Sequence, residues 1–182
     1  MFKNPFRISD LWIFIGFLCV YTAIFDAKLD VGGDNAGYFI LGQSLHTGQG
    51  YSDLHLPGAT TANHFPPGYP AIISMLMIFS DDFTFLKIIN GFFFFFSLLM
   101  LHRIFESMTK SKSLAWMTLG FTLVNGHLLR SSTIMMSEMS FLFFSLASLS
   151  CLIKWNEQEI PFWKSKWFLS LVILCTISYH IR

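Results

Sequence analysis

Charged residues are scarce in this sequence. Only 13% of the 182 residues are Asp, Glu, Lys or Arg, whereas 53% are hydrophobic. A soluble globular domain carries about 25% charged residues, so the composition excludes a soluble domain of this size. The net charge is +1, which provides no basic surface for nucleic acid, and we expect no nucleic-acid partner.

Cysteine is scarce too. The three cysteines stand alone inside apolar segments, with neither disulfide nor metal-site spacing: Cys19, Cys151 and Cys175. Lys3 and Arg7 precede an apolar run of 15 residues, 11–25, which resembles a signal peptide. No small-residue cleavage site follows the run and further apolar segments do, so the sequence predicts an uncleaved signal anchor.

Apolar segments, by contrast, are long and numerous. A helix needs about 20 mostly apolar residues to cross a bilayer. Five stretches qualify, at roughly 9–27, 83–102, 114–130, 137–153 and 167–181. A further segment, 67–79, is short for a span and opens with prolines, which suit the start of a helix. The sequence therefore predicts an all-α polytopic membrane bundle forming a single domain over residues 1–182.

The distribution of basic residues predicts the topology. If 67–79 lies on the membrane surface, the N-terminus and the loops 103–113 and 154–166 are cytoplasmic. Those three segments hold eight of the twelve Lys and Arg residues, as the positive-inside rule requires. If 67–79 crosses the bilayer, both loops become external. We therefore predict five spans, a cytoplasmic N-terminus and an outer loop over 28–82.

The outer loop has its own predicted helices. Residues 35–46 place Tyr38, Leu41 and Leu45 on one stripe, and glycines at 48 and 50 end the helix. The motif HFPPGYP opens a second short helix. We expect these to be juxtamembrane amphipathic helices lying at the membrane interface.

Two isolated carboxylates are the first candidate site residues. Asp34 follows two glycines and precedes a helix, which is typical of an N-cap but also of a general base at the outer membrane face. Glu138 begins the fourth span among apolar neighbours. The helix dipole favours an acid there, yet a buried acid also pairs with a cation, a metal or a substrate hydroxyl.

Histidine and arginine supply the other candidates. His64 precedes the rigid double proline, where it is either a loop residue or a metal ligand or phosphate partner. His127 is expected to be packed in its helix. Arg130 and Arg182 end the third and fifth spans; snorkelling to the headgroups is favoured for Arg130, whereas Arg182 is also a candidate for phosphate binding.

The order of these motifs resembles the N-terminal part of the GT-C membrane glycosyltransferases. The motifs are an anchor helix followed by DNAGYFILGQSLHTGQGY, HFPPGYP and MMSEMSFLFF. This superfamily includes protein O-mannosyltransferases and aminoarabinose-to-lipid-A transferases, and the resemblance covers nearly the whole chain. It implies Asp34 as catalytic base or substrate ligand and Glu138 as the assisting acid. It also implies that His64 lies in a substrate- or metal-adjacent turn and that Arg182 meets the donor phosphate.

The resemblance further implies an inverting enzyme of the bacterial inner membrane with its active site outside. The enzyme is expected to move a sugar from a polyprenyl-phosphate donor to a hydroxyl of a glycan, lipid or protein acceptor. A divalent metal is left open as a cofactor, with His64 and Glu138 as candidate ligands. Members of the superfamily have more spans, so this chain is expected to be the N-terminal part of a larger transferase module, its activity in isolation left open.

Two other functions fit the same pattern. A membrane assembly or scaffold protein would use both acids as helix caps, and a transporter or flippase subunit would use them to handle cations. Transporter sites lie near the bilayer midplane and often come with inverted repeats. Here the acids lie at one predicted edge and no repeat is visible, which favours the transferase.

Overall fold

The computed structural model describes residues 7–28, 33–58, 60–158 and 161–182. Within these residues the regular structure is helical, apart from an isolated β-bridge between Ser52 and Thr61, which confirms the predicted all-α class. The α-helices, in chain order, are α1 Ile8–Ile24, α2 Asp34–His46, α3 Gly68–Leu76, α4 Phe83–Thr109, α5 Lys112–Leu123, α6 Gly126–Ser132, α7 Ser137–Asn156 and α8 Lys166–Ile181. A one-turn 3-10 helix, Phe162–Lys164, precedes α8.

Two of these helices have the length and apolar character needed to cross a bilayer: α4 with 27 residues and α7 with 20. At 1.5 Å per residue, α4 is about 40 Å long. Helices α1 and α8 are apolar but shorter, with 17 and 16 residues. Large apolar side chains such as Trp12, Phe121 and Ile173 are exposed, as expected of lipid-facing positions. The number of crossings stays a prediction.

The third predicted span is interrupted. Helix α5 ends at Leu123, and α6 begins at Gly126 after an Asn125 N-cap whose side chain accepts a hydrogen bond from the Leu128 backbone N–H at 3.1 Å. Asn-Gly pairs favour turns, and asparagine is a strong cap. The prediction of one helix over 114–130 is therefore wrong, because capping at Asn125 starts a new helix.

The two short helices of the outer loop are confirmed. Helix α2 buries Tyr38 and Leu41 as predicted, and Leu45 is half-buried. Helix α3 has nine residues, a length of about 14 Å that is too short to cross a bilayer. The pair packs closely, since a Cβ on Gly42 of α2 would lie 2.5 Å from the Ile73 side chain of α3.

Helices α1 and α4 are joined at both ends. At one end Nη1 of Arg7 lies 2.7 Å from Oε2 of Glu106, and Nη2 of Arg103 lies 2.5 Å from Oδ2 of Asp10. At the other end the Tyr21 ring packs against α4. The two helices therefore run antiparallel, and Arg7 and Arg103 share one end of the bundle, as the predicted topology requires.

Two buried apolar clusters form the core. The first joins α1 and α4 to α5 and α7, through Ile13, Phe17, Tyr21, Phe94, Leu98, Leu119 and Met139. The second lies where the outer-loop helices meet the bundle and contains Tyr38, Tyr69, Ile73, Met77, Leu86, Met135 and Ile181. The candidate site lies next to this second cluster, which contributes Tyr38 and Tyr69 to it.

The contact between α1 and α4 gives a stability prediction. A Cβ on Gly91 would lie 2.5 Å from the Tyr21 ring, so Gly91→Ala must displace a buried side chain. We expect a loss of about 1–3 kcal/mol in the free energy of unfolding, measured as a lower thermal midpoint in detergent. Gly120→Ala is the matched control, because nothing lies within 4 Å of a Cβ there; equal midpoints for the two variants would contradict the contact.

Candidate active site

Asp34 is the first residue of α2 and does not cap it. The N-cap is Gly33, whose φ of 70° is a left-handed conformation that suits glycine. No side chain hydrogen-bonds as a cap at this helix end, so the N-cap interpretation of Asp34 does not hold. The Asp34 side chain is exposed at the helix N-terminus.

A cavity of about 390 Å³ opens beside Asp34. Besides Asp34 it is lined by Gly33, Asn35, His127, Arg130, Ile134 and Met136. The exposed His127 and Arg130 both belong to α6, so the predicted packing of His127 inside its helix is wrong. The break at Asn125 is responsible, because it gives these two residues a helix of their own next to the start of α2. The cavity thus combines one carboxylate with two side chains that bind anions.

Glu138 is the second residue of α7 and likewise caps nothing. The N-cap is Met136, and no side-chain cap bond forms. The Oε2 atom of Glu138 is buried without a hydrogen-bond partner among the described residues. An unsatisfied buried acceptor costs about 1–3 kcal/mol, so a donor supplied by a bound substrate would be stabilised there.

Tyr38 connects the two acids. It lies one turn after Asp34 on α2, and its hydroxyl is 3.2 Å from the hydroxyl of Ser137, the neighbour of Glu138. Burial raises the pKa of Tyr38, the Ser137 hydrogen bond lowers it, and the charges of Asp34 and Glu138 raise it further. The helices whose first turns hold Asp34 and Glu138, 104 positions apart in the sequence, therefore meet at these two hydroxyls.

Tyr69 of α3 is a second buried phenol, next to Tyr38. It packs edge-to-face against Tyr38, with ring centroids 5.0 Å apart. Burial raises the pKa of Tyr69, and the Tyr38 and Glu138 groups raise it further. Both phenols therefore stay protonated at neutral pH and can donate hydrogen bonds.

Arg182 reaches the Glu138 end of the site. Its guanidinium carbon lies 5.1 Å from the centre of the Phe141 ring, one turn after Glu138 on α7. The end of α8 is held there by close backbone packing, since a Cβ on Gly68 of α3 would lie 2.5 Å from the His180 carbonyl oxygen. Arg182 therefore lies beside α7 one turn after Glu138 and is not among the residues that line the cavity beside Asp34.

His64 lies at the margin of the site, paired with a residue that the sequence did not reveal. Its Nδ1 is 3.7 Å from Oδ2 of Asp53, which is buried. The next residue, Phe65, packs on Tyr38 with ring centroids 4.6 Å apart, and the Tyr51 hydroxyl donates to the Phe65 carbonyl at 2.8 Å. Burial raises the pKa of Tyr51 to about 12, so Tyr51 remains a donor.

The side chains present do not fit a metal centre. The described part of the chain contains no group of three or more His, Cys, Asp or Glu side chains placed to hold a metal ion. His64 pairs with Asp53 and not with Glu138, the other predicted ligand. The described residues therefore support no catalytic step through a metal.

Comparison with known proteins gives one match. A family model described as dolichyl-phosphate-mannose-protein mannosyltransferase matches residues 63–181. The matched segment begins just before His64 and contains Arg130 and Glu138, while Asp34 precedes it. No curated protein and no solved structure matches the chain.

The hydrogen bond between Tyr38 and Ser137 can be tested by a double-mutant cycle. Tyr38→Phe and Ser137→Ala each remove one of the two hydroxyl groups that lie 3.2 Å apart. We expect a coupling of about 0.5–1.5 kcal/mol in the free energy of unfolding, the usual net value of one hydrogen bond. Additive losses in the double variant would show that the two hydroxyls do not interact.

Proposed function

We propose that this chain, which belongs to the dolichyl-phosphate-mannose-protein mannosyltransferase family, uses Asp34 as the base that activates an acceptor hydroxyl. Family membership makes it a membrane glycosyltransferase of the mannosyltransferase type. The finer proposal is transfer from a polyprenyl-phosphate-linked sugar at the outer face of a bacterial inner membrane. The observation that carries it is that α2 and α7, whose first turns hold Asp34 and Glu138, meet at the hydroxyls of Tyr38 and Ser137, 3.2 Å apart.

The proposed reaction is a single displacement. The acceptor oxygen attacks the anomeric carbon, the bond from that carbon to the phosphate oxygen breaks, and the electron pair leaves with the polyprenyl phosphate. The acceptor proton passes to the Asp34 carboxylate. One displacement inverts the anomeric carbon. A phosphate leaves as a stable anion, so the site needs a base and cations more than it needs a strong general acid.

The cavity beside Asp34 supports a place for the departing phosphate. Arg130 and His127 share that cavity with Asp34, and a guanidinium binds phosphate oxygens through two parallel hydrogen bonds. A cation close to the base also neutralises the charge that develops as the leaving group departs. We assign the donor phosphate to this cavity. The sequence predicted Arg182 and His64 as the phosphate-binding cations. Arg182 instead lies beside α7 near Glu138, and His64 lies at the margin of the site, next to Asp53.

Glu138 is proposed to orient the acceptor. Among the described residues its buried Oε2 has no hydrogen-bond partner, and the Tyr38 hydroxyl lies 3.2 Å from that of the neighbouring Ser137. A second polar group of the acceptor, such as a neighbouring hydroxyl or amide N–H, donates to Glu138 and satisfies this oxygen, so that the proton of the attacking hydroxyl stays available to Asp34. The acceptor is a hydroxyl of a protein, glycan or lipid, and membership of a protein mannosyltransferase family favours a protein.

The role of Asp34 can be tested directly. We expect Asp34→Asn to lower the initial rate of transfer at least about 100-fold, the usual contribution of a positioned general base. The measurement is radiolabelled sugar transfer by membranes, using a panel of polyprenyl-phosphate sugars that includes mannose. Asp26→Asn is the matched control, since Asp26 is an exposed acid in the connection that leads to α2. Equal rates for the two variants would remove Asp34 as the base.

The phosphate site can be tested separately through the donor. Arg130→Ala removes a guanidinium from the cavity, and a hydrogen bond to a charged group is worth about 1.5–3 kcal/mol. We therefore expect the KM for the donor to rise about 10- to 100-fold, with partial recovery in Arg130→Lys. Lys112→Ala, which removes an exposed cation at the start of α5, is expected to leave this KM unchanged. An unchanged donor KM in Arg130→Ala would place the phosphate elsewhere.

A further inference from the structure

One turn of α4 carries two polar side chains that are almost completely buried. Lys87 is 3% exposed and Asn90 is 1% exposed. Buried amides and ammonium groups are costly unless they are hydrogen-bonded, so their partners indicate why they are there. We call Lys87 and Asn90 the buried polar turn.

Both N–H groups of the Asn90 amide donate to backbone carbonyls of one short segment, 131–134. Its Nδ2 donates to the Ser131 carbonyl at 2.8 Å and to the Ile134 carbonyl at 2.7 Å. These carbonyls belong to the end of α6 and to the connection between α6 and α7, where backbone oxygens lack helical partners. The bonded segment starts one residue after Arg130 and ends four residues before Glu138.

The Asn90 carbonyl faces a third element. Its Oδ1 lies 3.5 Å from the Tyr69 hydroxyl of α3, which is a long hydrogen bond. The single Asn90 side chain thus contacts the α6–α7 connection and α3, both of which contribute side chains to the candidate site.

Lys87, on the same turn of α4, makes equivalent contacts with the chain that follows α1. Its ammonium donates to the carbonyl of Asp26 and, at 2.8 Å, to that of Lys28. Both carbonyls follow the end of α1, on the stretch of chain that leads to Asp34. The Tyr21 hydroxyl closes the arrangement, at 3.2 Å from the Lys87 carbonyl and 3.4 Å from the Ser132 carbonyl.

We propose that Asn90 is a positioning residue of the transferase site, which fixes Arg130 and Glu138 relative to the chain that carries Asp34. The inference rests on the proposed function. Asparagine suits the task because its NH₂ group donates two hydrogen bonds from one atom, here to carbonyls three residues apart. A residue of similar size without these donors removes the bond to the Ser131 carbonyl and one of two bonds to the Ile134 carbonyl, which also accepts from the Met136 backbone N–H at 3.1 Å. The segment between Arg130 and Glu138 then loses its fixed geometry.

The test compares Asn90→Leu with Ser97→Ala. Ser97 is equally buried two turns further along α4, and its hydroxyl donates to the Phe93 carbonyl of the same helix. Two readouts are measured on the whole protein in lipid nanodiscs: amide hydrogen exchange of residues 131–138, and kcat with donor KM for transfer from the best donor of the panel.

We expect Asn90→Leu to speed exchange in 131–138 at least about 10-fold, the scale of one or two lost hydrogen bonds, with exchange in the centre of α4 unchanged. We expect kcat to fall at least about 10-fold, because the base and the acceptor-binding acid are no longer held in register. Ser97→Ala is expected to leave both readouts unchanged. Asn90→Gln, which keeps the amide but moves it by one methylene, is expected to give intermediate values and carries the test if the leucine variant does not fold.

Each other outcome overturns a specific statement. Unchanged exchange in a folded Asn90 variant refutes the positioning role, whatever happens to activity. Faster exchange with an unchanged kcat shows that Asn90 supports the fold alone and also refutes it. A wild-type protein that is inactive with every donor, yet shows the expected exchange pattern, refutes the proposed function and leaves the hydrogen-bonding role of Asn90 intact.

Discussion

Backbone that leaves a helix near a bilayer has to find hydrogen bonds within the protein, because hydrocarbon offers none. In this chain one turn of α4 supplies them. Lys87 binds the carbonyls that follow α1, and Asn90 binds those that link α6 to α7. The bundle beneath is held by apolar packing, such as that between Tyr21 and α4. The geometry of the candidate site depends on this turn, since the connections on either side of it lead to Asp34, Arg130 and Glu138.

The site gathers its charges at helix ends. Asp34 and Glu138 lie in the first turns of α2 and α7, where the helix dipole stabilises a carboxylate, and neither is used as a cap. Arg130 lies in the last turn of α6, where a cation is favoured. Helix termini thus hold the charged groups ready without consuming their hydrogen-bonding capacity.

The family match and the geometry complement each other. The match begins at residue 63 and covers the part of the chain that holds His64, Arg130 and Glu138. Asp34 precedes it and is tied to the matched part through Tyr38, whose hydroxyl lies 3.2 Å from that of Ser137. The proposed division of the site places the phosphate in the cavity shared by Asp34 and Arg130 and the acceptor beside Glu138.

Local features of the sequence were sufficient for much of the fold. Apolar runs predicted α1, α4, α7 and α8 to within a few residues at most ends, and the stripe through Tyr38 and Leu41 predicted α2, because burial repeats with the period of a helix. The helix break at Asn125 also has a local signal, the Asn-Gly pair at 125–126. The apolar composition of 114–130 favoured one continuous helix instead. By contrast, the pairing of Asp53 with His64, the approach of Arg130 to Asp34 and the contacts of Asn90 have no local signal. They join residues separated by 11 to 96 positions, and only the packing of the helices decides which distant side chains meet.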